Sequence, residues 1–189
     1  MKNIETYPQD FEAWYKILAP SEGGISNRSK SADPAGLTNR GITIGTFKRV
    51  ALPLLGVQPT EANLRILTSD QAKYIAYKEY WIKTGVPSAL PLYRTILADS
   101  FFLGGGIKSL GYTTISSLNL AKPSLSIIAG NRLKYLKSLK NWEANKNGWS
   151  TRLQNIVGKS VKFTSENLGS SIIILLVLSV IIFISLKPK

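Results

Sequence analysis

The chain has 189 residues, with 24 Lys and Arg against 11 Asp and Glu, a formal net charge of +13, and neither cysteine nor histidine. These counts exclude a disulfide framework, a Cys or His nucleophile, a His general base and a zinc site of the usual ligands, so any catalysis runs on carboxylates, hydroxyls, Lys or Tyr. The length suits one well-buried domain plus an appendage, and no cofactor or metal is expected.

The basic surplus is uneven: between Ser100 and Ser165 the only acid is Glu143. That half suits an anionic partner such as nucleic acid, acidic lipid headgroups or a bacterial wall polymer, or else is a solvated basic surface.

In chain order, Asp10 is placed to cap a helix from Phe11 towards Leu18, with Phe11, Trp14, Tyr15 and Leu18 on one face at i, i+3, i+4 and i+7. Pro20 ends or kinks it. Residues 23–45 are rich in Gly, Ser, Asn and Thr and fit turns and short strands. Thr68-Ser69-Asp70-Gln71 matches a capping box opening a helix that runs through Tyr80 and Trp81. Pro91 suits the first turn of the next helix, which runs to Leu103 and stops at Gly104-Gly105-Gly106. Further helices are expected over Ile107–Leu120, Ser124–Trp142 and Ser150–Val161, the last capped by Ser150. Residues 162–170 are polar enough for a linker.

From Leu168 to Leu186 no residue is charged, and Ile172–Ile184 is nearly all Ile, Leu, Val and Phe. At about 1.5 Å per residue such a run spans the roughly 30 Å hydrocarbon core of a bilayer, so residues 171–187 read as a transmembrane anchor. Lysines flank it on both sides, and charge does not set its orientation. The N-terminus shows no apolar stretch of signal-peptide type.

Two carboxylates stand out before the second third of the chain: Glu22 in Ser21-Glu22-Gly23-Gly24 and Asp33 in Asp33-Pro34-Ala35-Gly36, followed by Thr38-Asn39-Arg40-Gly41-Ile42-Thr43. Cleaving a glycosidic bond needs one carboxylic acid to protonate the leaving oxygen and a second group to direct a water or a covalent step at the cation-like sugar. Glu22, at the end of an apolar helix and beside an open glycine bend, suits the acid role, because partial burial raises a carboxyl pKa. Asp33 is placed to hold or deprotonate the water, and the Thr38 hydroxyl to position it. Each piece also has a plain structural reading: a helix C-cap with a solvated Glu, and two ordinary turns.

The order Glu-Gly-Gly, then Asp-Pro-x-Gly-x-Thr-Asn-x-Gly-Ile-Thr, then a capped helix ending in Tyr80-Trp81, resembles the glycoside hydrolase family 108 muramidases of phages and bacteria. Leu90-Pro91 followed by Asp99 and Gly105 resembles that family's second block, and Arg132 to Leu136 with Gly148 to Arg152 its closing block. The resemblance spans residues 10–160 and departs from the family pattern at Ile25, Ala35 and Leu103. It implies a mainly α, lysozyme-like domain with a small strand and turn insertion over residues 1–161, to which the polar stretch adds a linker at 162–170 and the apolar run an anchor at 171–187.

It further implies hydrolysis of the β-1,4 bond between N-acetylmuramic acid and N-acetylglucosamine in peptidoglycan. Glu22 takes the family's catalytic place, with Asp33 and Thr38 in support. Asn39, Thr43, Trp81 and Asp99 are the candidate substrate contacts, and Thr43 is also a rival for the catalytic hydroxyl. Trp81, Trp142 and Trp149 read as core residues before sugar platforms, because large aromatics carry most of the buried area in a small domain. Joined to an anchor, the pattern suggests a lytic protein in a virion membrane or a bacterial inner membrane, in contact with lipid and with capsid or other virion proteins but not with nucleic acid. The competing reading is an inactive, structural or wall-binding relative.

Overall fold

The computed structural model describes residues 6–21, 24–26 and 36–167, with only the backbone at 20, 21 and 161–167. It is mainly helical. In chain order the elements are α1 (Gln9–Ser21), β1 (Thr38–Asn39), β2 (Ile42–Thr43), α2 (Ile44–Val50), α3 (Glu61–Arg65), α4 (Ser69–Ala76), α5 (Pro91–Phe102), α6 (Ile115–Ala121), α7 (Leu125–Lys137) and α8 (Trp142–Asn167). α2 continues into a π-helical turn at Ala51–Leu55, and α4 into another at Tyr77–Ile82. The chain divides into two compact units, one built from residues 15–79 and the other from the N-terminal residues up to Trp14 together with residues from Tyr80 onward.

The 15–79 unit is held by Leu37, Ile42, Phe47, Val50, Leu64 and Ile75, all nearly inaccessible to solvent, with Leu54 and Leu55 packed against them. Its helices start where hydroxyls can accept otherwise orphaned N–H groups. Thr43 accepts from Thr46 N at the start of α2, Thr60 from Asn63 N at α3, and Thr68 forms the expected capping box with Gln71 at α4. The helix opened by Thr68 runs on through Tyr80 and Trp81 as expected, its last part loosened into the π turn.

In the other unit Phe11, Trp14 and Trp81 form an aromatic cluster, Phe11 edge-on to Trp81 at 5.5 Å and Trp14 stacked on Trp81 at 6.1 Å. Phe102 meets Trp14 edge-on at 6.1 Å. α5 begins with Pro91 at its first turn and packs on α8 and α7. Trp142 and Trp149 lie against each other on α8, centroids 6.3 Å apart. Among the described side chains of the basic half, the charged ones are exposed except for two arginines. Arg132 and Arg152 are 0% and 7% exposed beside Asp99, which is 3% exposed.

Several boundaries differ from the sequence reading, each for a local reason. α1 starts at Gln9, so Asp10 sits inside the first turn instead of capping it, and its buried carboxylate pairs with Arg94 Nη1 at 2.8 Å. The stretch expected as one helix over Ile107–Leu120 is a 3₁₀ turn at Gly106–Leu110 and a separate α6, because Gly111 takes φ 88° and ends the first piece, and Thr114 caps the second. α7 ends at Lys137, short of Trp142. Ser150 caps nothing: α8 runs through it without a break from Trp142 to Asn167, and so takes in residues 162–167, expected as linker. Among the described residues no helix is long and apolar enough to cross a membrane. The expected anchor at 171–187 lies outside the described residues.

Candidate functional site

The site is built on the hairpin of the 15–79 unit. β1 and β2 pair antiparallel with Thr38 opposite Thr43 and Asn39 opposite Ile42. Arg40 and Gly41 connect them with φ of 50° and 75°. Two successive left-handed residues form the mirror-image turn whose twist matches that of a hairpin, and glycine at the second position makes it accessible. The outer edge of β1 is bridged by Ser26, whose N–H donates to Thr38 O at 2.8 Å while Thr38 N–H donates back to Ser26 O at 2.9 Å. Ser26 is thereby fastened to the strand carrying Thr38.

Side chains alternate across a strand, so this register puts Thr38 and Thr43 on one face of the hairpin and Asn39 and Ile42 on the other. The first pair is half-buried and the second buried. The two hydroxyls proposed for the same task are thus cross-strand neighbours, and their hydrogen bonds separate them. Thr43 Oγ1 accepts from Thr46 N at 3.2 Å and donates to Thr46 Oγ1 at 3.3 Å, which commits it to capping α2. Thr38 Oγ1 donates to Gly36 O at 3.2 Å, which leaves its lone pairs free to accept from a water.

On the other face the Asn39 amide donates to Leu64 O at 2.8 Å and to Arg65 O at 3.0 Å, and Arg40 Nε donates to Leu67 O at 3.1 Å. These bonds tie the hairpin tip to the junction of α3 and α4. Between the junction and the Gly24–Ile25 segment lies a cavity of about 720 Å³, bordered by the hairpin turn and by the segment from Arg65 to Asp70. Its rim is mixed in character, with exposed Ile25 and Ile66 beside Arg40, Arg65 and Asp70.

The positions expected from the sequence fall into three groups. Glu22 and Asp33 lie outside the described residues. Thr38, Thr43 and Asn39 are brought together in the hairpin, with both amide N–H donors of Asn39 spent on backbone carbonyls. Trp81 and Asp99, expected as substrate contacts, are interior residues. Trp81 is 1% exposed within the aromatic cluster. Asp99 accepts from Arg152 Nε at 2.6 Å. Neither offers a surface to a polymer, because large aromatics and buried ion pairs go where they find the most contacts and partners.

Buried Arg132 donates to Gly104 O at 2.7 Å and Ser109 Oγ at 2.8 Å. Its pKa is lowered by burial, against which the charge of Asp99 acts to raise it. Arg40 and Arg65 were not expected at a cavity. Arg40 stands inside the quoted Thr-Asn-Arg-Gly motif, whereas no sequence signal marks Arg65. Among the described residues no group of three or more His, Cys, Asp or Glu is placed to hold a metal ion.

Residues 15–102 match the family model of Glycosyl hydrolase 108. The chain is a glycoside hydrolase. The matched segment contains Glu22, Asp33, the whole hairpin and, among the described residues, all those bordering the cavity. Among solved structures the fold is similar to that of Brucella abortus SagA, with a TM-score of 0.66 and 22% identity over 82% of this chain and 95% of the other. That likeness is one of fold, and it extends beyond the part matched by the family model. No curated protein sequence matches the chain.

Proposed function

We propose that this glycoside hydrolase is an N-acetylmuramidase that cleaves the β-1,4 bond between N-acetylmuramic acid and N-acetylglucosamine in peptidoglycan. The observation that carries the reading is the family match over 15–102, a segment in which the Glu-Gly-Gly and Thr-Asn-x-Gly-Ile-Thr motifs stand in order. Glu22 is the general acid: it gives its proton to the glycosidic oxygen, and the 4-hydroxyl of the next sugar leaves neutral. Asp33 accepts a proton from the attacking water, and Thr38, whose own hydroxyl proton is held by Gly36 O, accepts a second hydrogen bond from that water and fixes its direction. Oxygen from water joins C1, the glycosidic bond breaks, and no redox change occurs.

The apolar run within 171–187 supports a second part of the proposal, that the enzyme is tethered in a membrane, either of a virion or of the bacterial host, and works on the wall from there. An inactive wall-binding relative is the contrasting case. Zymography on purified peptidoglycan with the wild type and Glu22→Gln separates the two: clearing by the wild type and none by the folded variant is expected, and equal zones, or none from either, overturn the assignment. Alkaline carbonate extraction tests the tether, since a protein with a spanning segment stays in the membrane pellet.

A further inference from the structure

The cavity beside the hairpin carries more charge than a glycan backbone calls for. N-acetylated sugars are neutral, and in peptidoglycan the carboxylates and amines sit on the short peptide that branches from the muramic acid. Two guanidiniums and one carboxylate border this space: Arg40 at the turn, Arg65 at the end of α3 and Asp70 in the first turn of α4. None of the three makes an ion pair with another of the described residues, and all three are exposed. Arg40 is held in place by its Nε bond to Leu67 O, so its guanidinium is already partly ordered before any ligand arrives. Arginine offers planar paired donors that match a carboxylate.

Size and apolar content agree with the charge pattern. A space of about 720 Å³ is far too large for a single ion and is in the range of pockets that take ligands of several linked groups. Ile25 and Ile66 stand on its rim at 51% and 74% exposure, open to the methyl groups of alanine residues. A ligand with acids, an amine and small aliphatic groups fits this surface better than a bare sugar, a phosphate or a nucleic acid, for which Asp70 would be repulsive.

Resting on the muramidase reading, we propose that this cavity seats the peptide stem of peptidoglycan, with Arg40 and Arg65 taking its carboxylates and Asp70 the amine of its diamino residue. The enzyme then reads the stem as well as the glycan, and strands that carry stems are better substrates than bare ones.

The test uses the full chain in detergent, as wild type and Arg65→Glu, with thermal melts to confirm that the variant folds. Glycan strands bearing stems are compared with the same strands stripped by an amidase. Arg65→Glu should lower kcat/KM on stem-bearing strands about five- to twenty-fold and leave stripped strands unchanged, the range expected when a favourable surface ion pair becomes a repulsive one. Equal loss on both substrates, or loss on neither, overturns the proposal.

A second arm titrates free stem peptide containing a diamino acid into each protein by calorimetry, independently of turnover. Binding by the wild type that Arg65→Glu weakens supports the site even if neither glycan is cleaved, a result that would instead sink the muramidase reading. No binding at millimolar peptide, or competition by inorganic phosphate as strong as that by the peptide, overturns the stem assignment.

Discussion

Replacing Asp99 by Asn tests whether this carboxylate is an internal brace or a substrate contact. In the structure it faces two buried guanidiniums, Arg152 through a 2.6 Å bond and Arg132 through its field. Asn keeps the volume and one acceptor oxygen, so no cavity forms and part of the hydrogen bonding survives. What is lost is the charge, and removing one partner of a buried pair costs about 3–5 kcal/mol because the other charge remains desolvated and uncompensated. The retained acceptor puts the expectation at the lower end, about 3 kcal/mol, which is a large share of the roughly 5–15 kcal/mol typical of a folded domain.

The loss of Asp99 also removes the influence that raises the Arg132 pKa against its burial, and this acts in the same direction. Urea denaturation should show the loss as a lower midpoint with an unchanged slope. Adding Arg152→Met to Asp99→Asn should recover part of it, since that removes one of the stranded charges. A loss below about 1 kcal/mol, or a raised KM with unaltered stability, would refute the brace and restore Asp99 as a substrate contact.

Further outcomes are expected from the site and the core. Asn39→Ala removes two neutral hydrogen bonds to backbone carbonyls and should cost about 1–3 kcal/mol by denaturation, with KM moved only as far as the hairpin loosens. Thr38→Val should lower kcat by about ten- to a hundredfold with a near-wild-type Tm, whereas Thr43→Val, which deletes the α2 cap, should cost about 0.5–2 kcal/mol of stability; the reverse pattern would hand the water to Thr43.

Tyr93 titrates in the alkaline range. Burial, aided by the charge of Tyr112, pushes its hydroxyl from the usual 10.0 up to about 12. A raised folded-state pKa means that its contribution is fully present below pH 10 and is lost as pH climbs towards 12. Tyr93→Phe should therefore flatten that part of the stability curve, at the expense of the 2.9 Å bond to Pro123 O at every lower pH, and an alkaline limb identical to that of the wild type would count against it.

Much of the local structure was legible because its causes are local. The Thr68–Gln71 capping box, the start of α5 at Pro91 and its stop at the three glycines depend on residues a few positions apart, and each formed as the pattern indicated. The Ser and Thr residues that open α2, α3 and α7 act in the same way. Where the structure differs, one local signal overrode another: Gly111 cut the helix expected over Ile107–Leu120, and Ser150 could cap only if the helix began there.

Motif spacing and composition limited the chemistry to carboxylates and hydroxyls and pointed to glycosidic cleavage before any coordinates. Side-chain assignments were another matter. Whether Asn39 meets a sugar or a pair of carbonyls, whether Trp81 faces solvent or Trp14, and whether Asp99 is a ligand contact or the partner of Arg152 depend on residues dozens of positions away. Nothing in the neighbouring sequence records such partners. Only the folded chain, by burying one face of each element and requiring every polar group there to find a partner, decided which of these residues brace the structure and which border the cavity.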